Sequence, residues 1–127
     1  MKQEVVKARL LESLSKHVGV EKAMGMADLF EVVYQRPVED RINDTRELRK
    51  LITNLRLDGV PIASVSRPDG GGYYLAAAGS ELEDYLYRLH QRGLKALVLE
   101  SKIRGISMGE LLGRIQIKLE RTTCEAF

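Results

Sequence analysis

The chain has 127 residues, 44% hydrophobic and 30% charged, with 20 basic against 18 acidic side chains and a formal net charge of +2. That is the length of one domain with one sizeable core, and the composition is not that of a disordered chain. So small a net charge excludes a histone-like binder held to nucleic acid by bulk electrostatics alone.

The segment from Met1 to Leu10 is charged from Lys2 onward and lacks the apolar core of a signal peptide, which makes the cytoplasm the expected compartment. A first helix is expected from Lys2 to His17: Val6, Leu10, Leu14 and Val18 recur at helical spacing, Leu11 reinforces them, and Gly19 is a natural stop. A second is expected from Met24 to Tyr34, with Met26, Leu29, Phe30 and Val33 at i, i+3, i+4 and i+7, ended by Pro37. The third has the clearest start. Asp44 as N-cap and Glu47 three residues on make a capping box, and the helix is expected to stop near Asp58, where Gly59 takes the position after the cap and Pro61 follows. Leu48, Leu51, Ile52 and Leu55 form its apolar stripe, with Arg46, Arg49, Lys50 and Thr53 on the opposite face.

Two extended runs, Pro61 to Ser66 and Gly72 to Ala76, flank Pro68-Asp69-Gly70, a turn signal in which proline presets φ and glycine accepts positive φ. Together they predict a β-hairpin. Alternation assigns Tyr73 and Leu75 to the core and turns Tyr74 outward. Ser80 and Glu83 form another capping box, opening a helix to about Arg104 with Leu82, Leu86, Leu89 and Leu97 on an apolar face, weakened at Gly93 and ended by Gly105. Ser107 and Glu110 repeat the pattern, with Ile106 and Leu111 as a hydrophobic staple, and predict a short last helix that frays after Glu120.

Three helices, a hairpin and C-terminal helices make an α+β chain, mostly α, in the order of a winged helix: residues 1–79 as the winged domain and 80–127 as a helical extension packing on it or on a partner subunit. A two-stranded hairpin is unstable alone and must pack on helices. The run from Asp44 to Ile62, closing through Gly59-Val60-Pro61-Ile62, and the later Gly71-Gly72-Tyr73-Tyr74-Leu75 resemble the biotin-repressor type of winged helix-turn-helix domain. The likeness covers residues 24–76. The whole-chain layout, with a Gly-Ser-Glu-Leu-Glu helix start after the wing, is also similar to small prophage-encoded winged-helix proteins. The resemblance implies a recognition helix over about 44–58 in the major groove of double-stranded DNA and a wing over 61–76 on the backbone or minor groove. The connection from Gln35 to Asn43 is longer than the family's tight turn, and it adds Arg36 and Arg41 near the start of the third helix.

The candidate DNA-contacting residues are therefore Arg46, Arg49, Lys50 and Thr53 on the helix, Thr45, Arg36 and Arg41 at its entrance, and Arg67 and Tyr74 on the wing. Residues 45–67 hold Arg46, Arg49, Lys50, Arg56 and Arg67 against Glu47 and Asp58, a local net charge of +3. Phosphates and guanine edges are the targets such side chains meet. No run of residues supports catalysis, a metal or a cofactor. His17 and His90 lack partners of metal-ligand spacing, and the single cysteine, Cys124, excludes an internal disulfide and a cysteine-based zinc cage. No apolar run nears the roughly 20 residues that span a bilayer, so no membrane partner is expected. The chain then reads as a transcriptional regulator or a phage control or replication factor, as a homodimer through its C-terminal helices. The alternative is a protein–protein interaction module using the wing and those helices, which the near-neutral charge also allows.

Overall fold

Apolar residues at helical spacing bring three helices around one core. The computed structural model describes residues 3–68 and 71–126, the last six as backbone. Helices α1 (Gln3–Ser15), α2 (Met26–Tyr34) and α3 (Asn43–Leu57) are followed by strands β1 (Ile62–Val65) and β2 (Gly72–Leu75) and by helices α4 (Ser80–Arg104) and α5 (Met108–Ala126). The architecture is α+β and mostly α, with a small two-stranded antiparallel hairpin. Among the described residues no helix is long and apolar enough to cross a membrane.

Val6, Leu10 and Leu14 of α1, Leu29, Phe30 and Val33 of α2, and Leu48, Leu51, Ile52 and Leu55 of α3 are buried in one cluster with Ile62. Tyr73 and Leu75 pack against it from the hairpin. In the hairpin Ile62 pairs with Leu75 and Val65 with Gly72. The turn expected at Asp69-Gly70 lies outside the described residues.

Two helix boundaries differ from expectation for one reason. The chain between α1 and α2 pairs with the edge of β2 that faces away from β1. The His17 carbonyl accepts the Leu75 N–H at 3.0 Å, and the Leu75 carbonyl accepts the Gly19 N–H at 2.9 Å. Met24 and Tyr73 exchange both backbone bonds at 2.8 Å. α1 therefore stops at Ser15 and α2 starts at Met26, because the residues between them spend their polar groups on the hairpin. His17 also donates Nδ1–H to the Lys22 carbonyl at 2.8 Å, closing a 3-10 turn over Val20–Lys22. The closeness of these backbones explains the paired glycines. A Cβ on Gly72 would lie 2.2 Å from the Met24 carbonyl oxygen, and one on Gly71 would lie 2.1 Å from that of Val65.

Tyr74 corrects the alternation argument. Its ring is 1% exposed, in a second cluster with Ala63 and Ala76. Val20, Ala23, Leu82 and Tyr85 pack around that cluster. The hairpin is thus covered on both faces, and the outward face expected for Tyr74 does not exist.

α3 ends as expected, with Gly59 at φ +97°. Val60 N–H reaches the Leu55 carbonyl and Gly59 N–H the Arg56 carbonyl, the two bonds of a Schellman motif. α4 ends in the same way: Ile106 N–H reaches Ser101 and Gly105, at φ +70°, reaches Lys102. At the start of α4 the Glu81 carboxylate accepts the Ala77 N–H at 2.9 Å, where a Ser80–Glu83 box was expected. The Ser107 hydroxyl does accept the Glu110 N–H at 3.1 Å, and Leu111 is buried beside a half-buried Ile106. α5 runs on past Glu120 to Ala126, with no glycine or proline after Gly113 to stop it.

The chain divides into two units, Met1–Tyr85 and Leu86–Phe127. The boundary falls inside α4, just after Leu82 and Tyr85, which pack on the Tyr74 cluster.

Candidate nucleic-acid interface

The buried stripe of α3 decides what its other side presents. With Leu48, Leu51, Ile52 and Leu55 turned inward, Arg46, Arg49, Lys50 and Thr53 are all exposed. Their spacing of i, i+3, i+4 and i+7 places them on one face of the helix. The Thr53 hydroxyl donates to the Arg49 carbonyl at 3.0 Å.

Thr45 is not part of that surface. It is buried, 6% exposed, in the first turn. Its hydroxyl donates to the Arg41 carbonyl and accepts from Arg49 Nη2 at 2.9 Å. The residue expected to touch DNA instead holds the Arg49 guanidinium from behind.

The entrance to α3 is also built differently. Asp40, three residues before the helix, accepts the N–H groups of Ile42 and Asn43, both at 3.1 Å, and the Asn43 side-chain amide at 2.6 Å. That is N-cap work, and it was expected of Asp44. Those same bonds, the Asn43 N–H first, hold the Asp40 carboxyl below its ordinary value. Asp44 faces back towards the connection. It accepts the N–H groups of Glu39 and Asp40 and takes Arg36 in a bidentate pair of 3.0 and 3.1 Å. The Arg36 bond, aided by the Asp40 N–H, keeps the Asp44 carboxyl well below the usual carboxylate range. The Arg36 guanidinium also lies 4.9 Å over the Phe30 ring, which stacks on Tyr34. Burial, with Glu47 nearby, pushes the Tyr34 phenol up. Arg36 is therefore the clasp of the connection and leaves the set of groove-facing residues. Arg41 stays exposed beside it.

On the hairpin, Arg67 is exposed and Tyr74 is withdrawn by its burial. Arg56 joins the account. Its Nε donates to the Ile62 carbonyl at 2.7 Å and its guanidinium lies 5.8 Å over the Tyr73 ring. It ties the end of α3 to the first residue of β1. Its spacing of i+7 from Arg49 puts it on the same side of the helix, so no signal in the sequence marks its turn to the hairpin.

What remains is Arg41, Arg46, Arg49, Lys50 and Thr53 around one helix and Arg67 on the hairpin that follows it. No protein-family model, curated protein or solved structure matches the chain. Function has to be read from these residues and their placement.

Proposed function

We propose that the first unit is a winged helix-turn-helix module of the biotin-repressor type that binds double-stranded DNA, acting as a transcriptional regulator or a phage control or replication factor. The observation that carries this reading is the α3 surface: three cations and a hydroxyl on one exposed face, opposite a stripe whose four apolar residues are buried. A helix so divided fits a major groove about 12 Å wide, with its polar face towards base edges and phosphates. The hairpin supports the reading by its place. It follows α3 after a Schellman turn, is held to it by Arg56, and has Arg67 two residues past the end of β1. The third edge made by residues 17–24 braces the hairpin from the other side.

The test is a titration of the full chain with duplex genomic fragments at two salt concentrations, repeated with the Arg46→Ala/Arg49→Ala double variant. Both side chains are exposed, so the variant is expected to keep its thermal stability and lose duplex affinity. A base-reading side chain is worth about 1–3 kcal/mol at one position. Unchanged duplex affinity in the double variant rejects the proposal.

One observation favours a second reading, an interaction module that binds protein. Leu86, Tyr87, Leu89, Leu99, Ile103, Leu112 and Leu119 are all exposed in α4 and α5. Under that reading the arginine changes leave partner capture intact and changes in α4 abolish it.

A further inference from the structure

Two apolar side chains stand on the cationic face of α3. Among the described residues of the first unit, Leu57 and Ile42 are the two most exposed large hydrophobics, at 82% and 67%, and the next, Val32, is at 46%. Both fall on one line of the helix. Ile42, Arg46, Lys50, Thr53 and Leu57 recur at i, i+4, i+8, i+11 and i+15, opposite the buried stripe. Ile42 is the residue before the helix, but its backbone is already helical, at φ −80° and ψ −55°, so the spacing holds there. Neither residue is a loose end. The Ile42 N–H donates to Asp40 and its carbonyl accepts the Arg46 N–H, both at 3.1 Å. Leu57 precedes the Schellman turn at Gly59. The fold thus holds two large apolar groups in the open, one at each end of a polar surface.

The base edges of a major groove offer one apolar group, the C5 methyl of thymine. Resting on the reading that α3 enters that groove, we propose that Ile42 and Leu57 each bury a thymine methyl and so set sequence preference at the two ends of the contacted segment. The cations between them meet phosphates and guanine edges, which have no apolar group to offer. Cytosine at either end presents an amino group in the groove and no methyl. The spacing of the two thymines follows from the helix. Ile42 and Leu57 are 15 residues apart, about 22 Å along the axis, so their thymines lie within about six base pairs of one another. Ile42 is one turn before Arg46, about 5–6 Å away between Cβ atoms, so its thymine lies within about two base pairs of the base that Arg46 meets.

The test uses the full chain and a duplex that it selects from a random-sequence pool. Each thymine of that duplex is replaced in turn by uracil, which removes the methyl and keeps the base pair. Uracil at two positions is expected to weaken binding about three- to fivefold each, the loss that one buried methyl carries, and uracil elsewhere to change little. Ile42→Ala is expected to abolish the penalty at the position beside the base that Arg46 meets, and Leu57→Ala the penalty at the other. Both side chains are exposed, so the melting temperatures of the variants are expected to match that of the unaltered chain. The uracil series on the unaltered chain reads the same contacts with no variant at all. Uracil duplexes bound as tightly as the thymine duplex, or penalties that persist in the alanine variants, overturn the inference and leave the DNA reading standing. A chain that selects no duplex rejects the DNA reading and this inference with it.

Discussion

Asp44 shows how one carboxylate organises more backbone than its neighbours predict. It takes two N–H groups and a bidentate arginine, and its carboxyl is held well below the usual range by the Arg36 bond first. A carboxyl depressed in the folded state contributes stability that is present above its unfolded pKa, about 3.9, and is lost as pH falls through that value towards the folded one. Urea unfolding midpoints are therefore expected to fall between pH 5 and pH 2, and to fall less in Asp44→Asn, which starts lower at pH 7. An equal fall in both proteins would place the acid sensitivity elsewhere. Leu51 is the apolar counterpart. It lies in the cluster shared by all three helices, and Leu51→Ala is expected to cost about 2–5 kcal/mol by denaturant titration, as buried leucines do. A loss well under 1 kcal/mol would mean that the site collapses around the smaller side chain.

At the scale of elements, legibility depended on whether a segment is shaped by its own residues. The C-terminus of α3 was readable because Asp58, Gly59 and Pro61 are local instructions, and the Schellman bonds follow from them. Its N-terminus was misread because two acids compete for one capping role. Asp40 wins it, as the chain after Pro37 curls back and Arg36 claims Asp44. Tyr74 was misread because a period of two tells which side chains share a face but not whether that face meets water. The clue was the lack of polar residues on either side of Tyr73, Tyr74, Leu75 and Ala76. The pairing of residues 17–24 with β2 was invisible, since Met24 carries a helix-forming side chain and its backbone is recruited by a strand far along the chain. That pairing rests on Gly72. Gly72→Ala is expected to push β2 from Met24, lowering the melting temperature and exposing the Met24 and Tyr73 amides to hydrogen exchange. Gly113→Ala, where a Cβ meets nothing within 4 Å, is the control expected to hold or raise stability.

For the whole molecule the decisive quantity is how few cations a nearly neutral chain can set against DNA. The net charge of +2 makes bulk attraction weak, so the proposed DNA binding would have to draw its affinity from the exposed cations of one surface. On the DNA-binding proposal those cations are Arg41, Arg46, Arg49, Lys50 and Arg67, all exposed, although Arg49 also bonds to Thr45 and Arg67 to the Val20 carbonyl; Arg36 and Arg56 are turned to the fold by a bidentate carboxylate and by the Ile62 carbonyl. If all five meet phosphates, log affinity against log salt has a slope of about −4.5 for each protomer, because each neutralised phosphate contributes about −0.9. A cation that reads a base in place of a phosphate makes the slope shallower. The two roles separate in single variants. Arg67→Ala, on the hairpin, is expected to weaken all duplexes alike and to make the slope shallower by about one. Arg46→Ala, nearest the helix N-terminus, is expected to relax preference at one base position and change the slope less. A second copy doubles the cations facing one duplex, since two tethered contacts act together. A slope steeper than about −9 in the unaltered protein exceeds what ten such cations supply, and it would require a surface other than α3 and the hairpin.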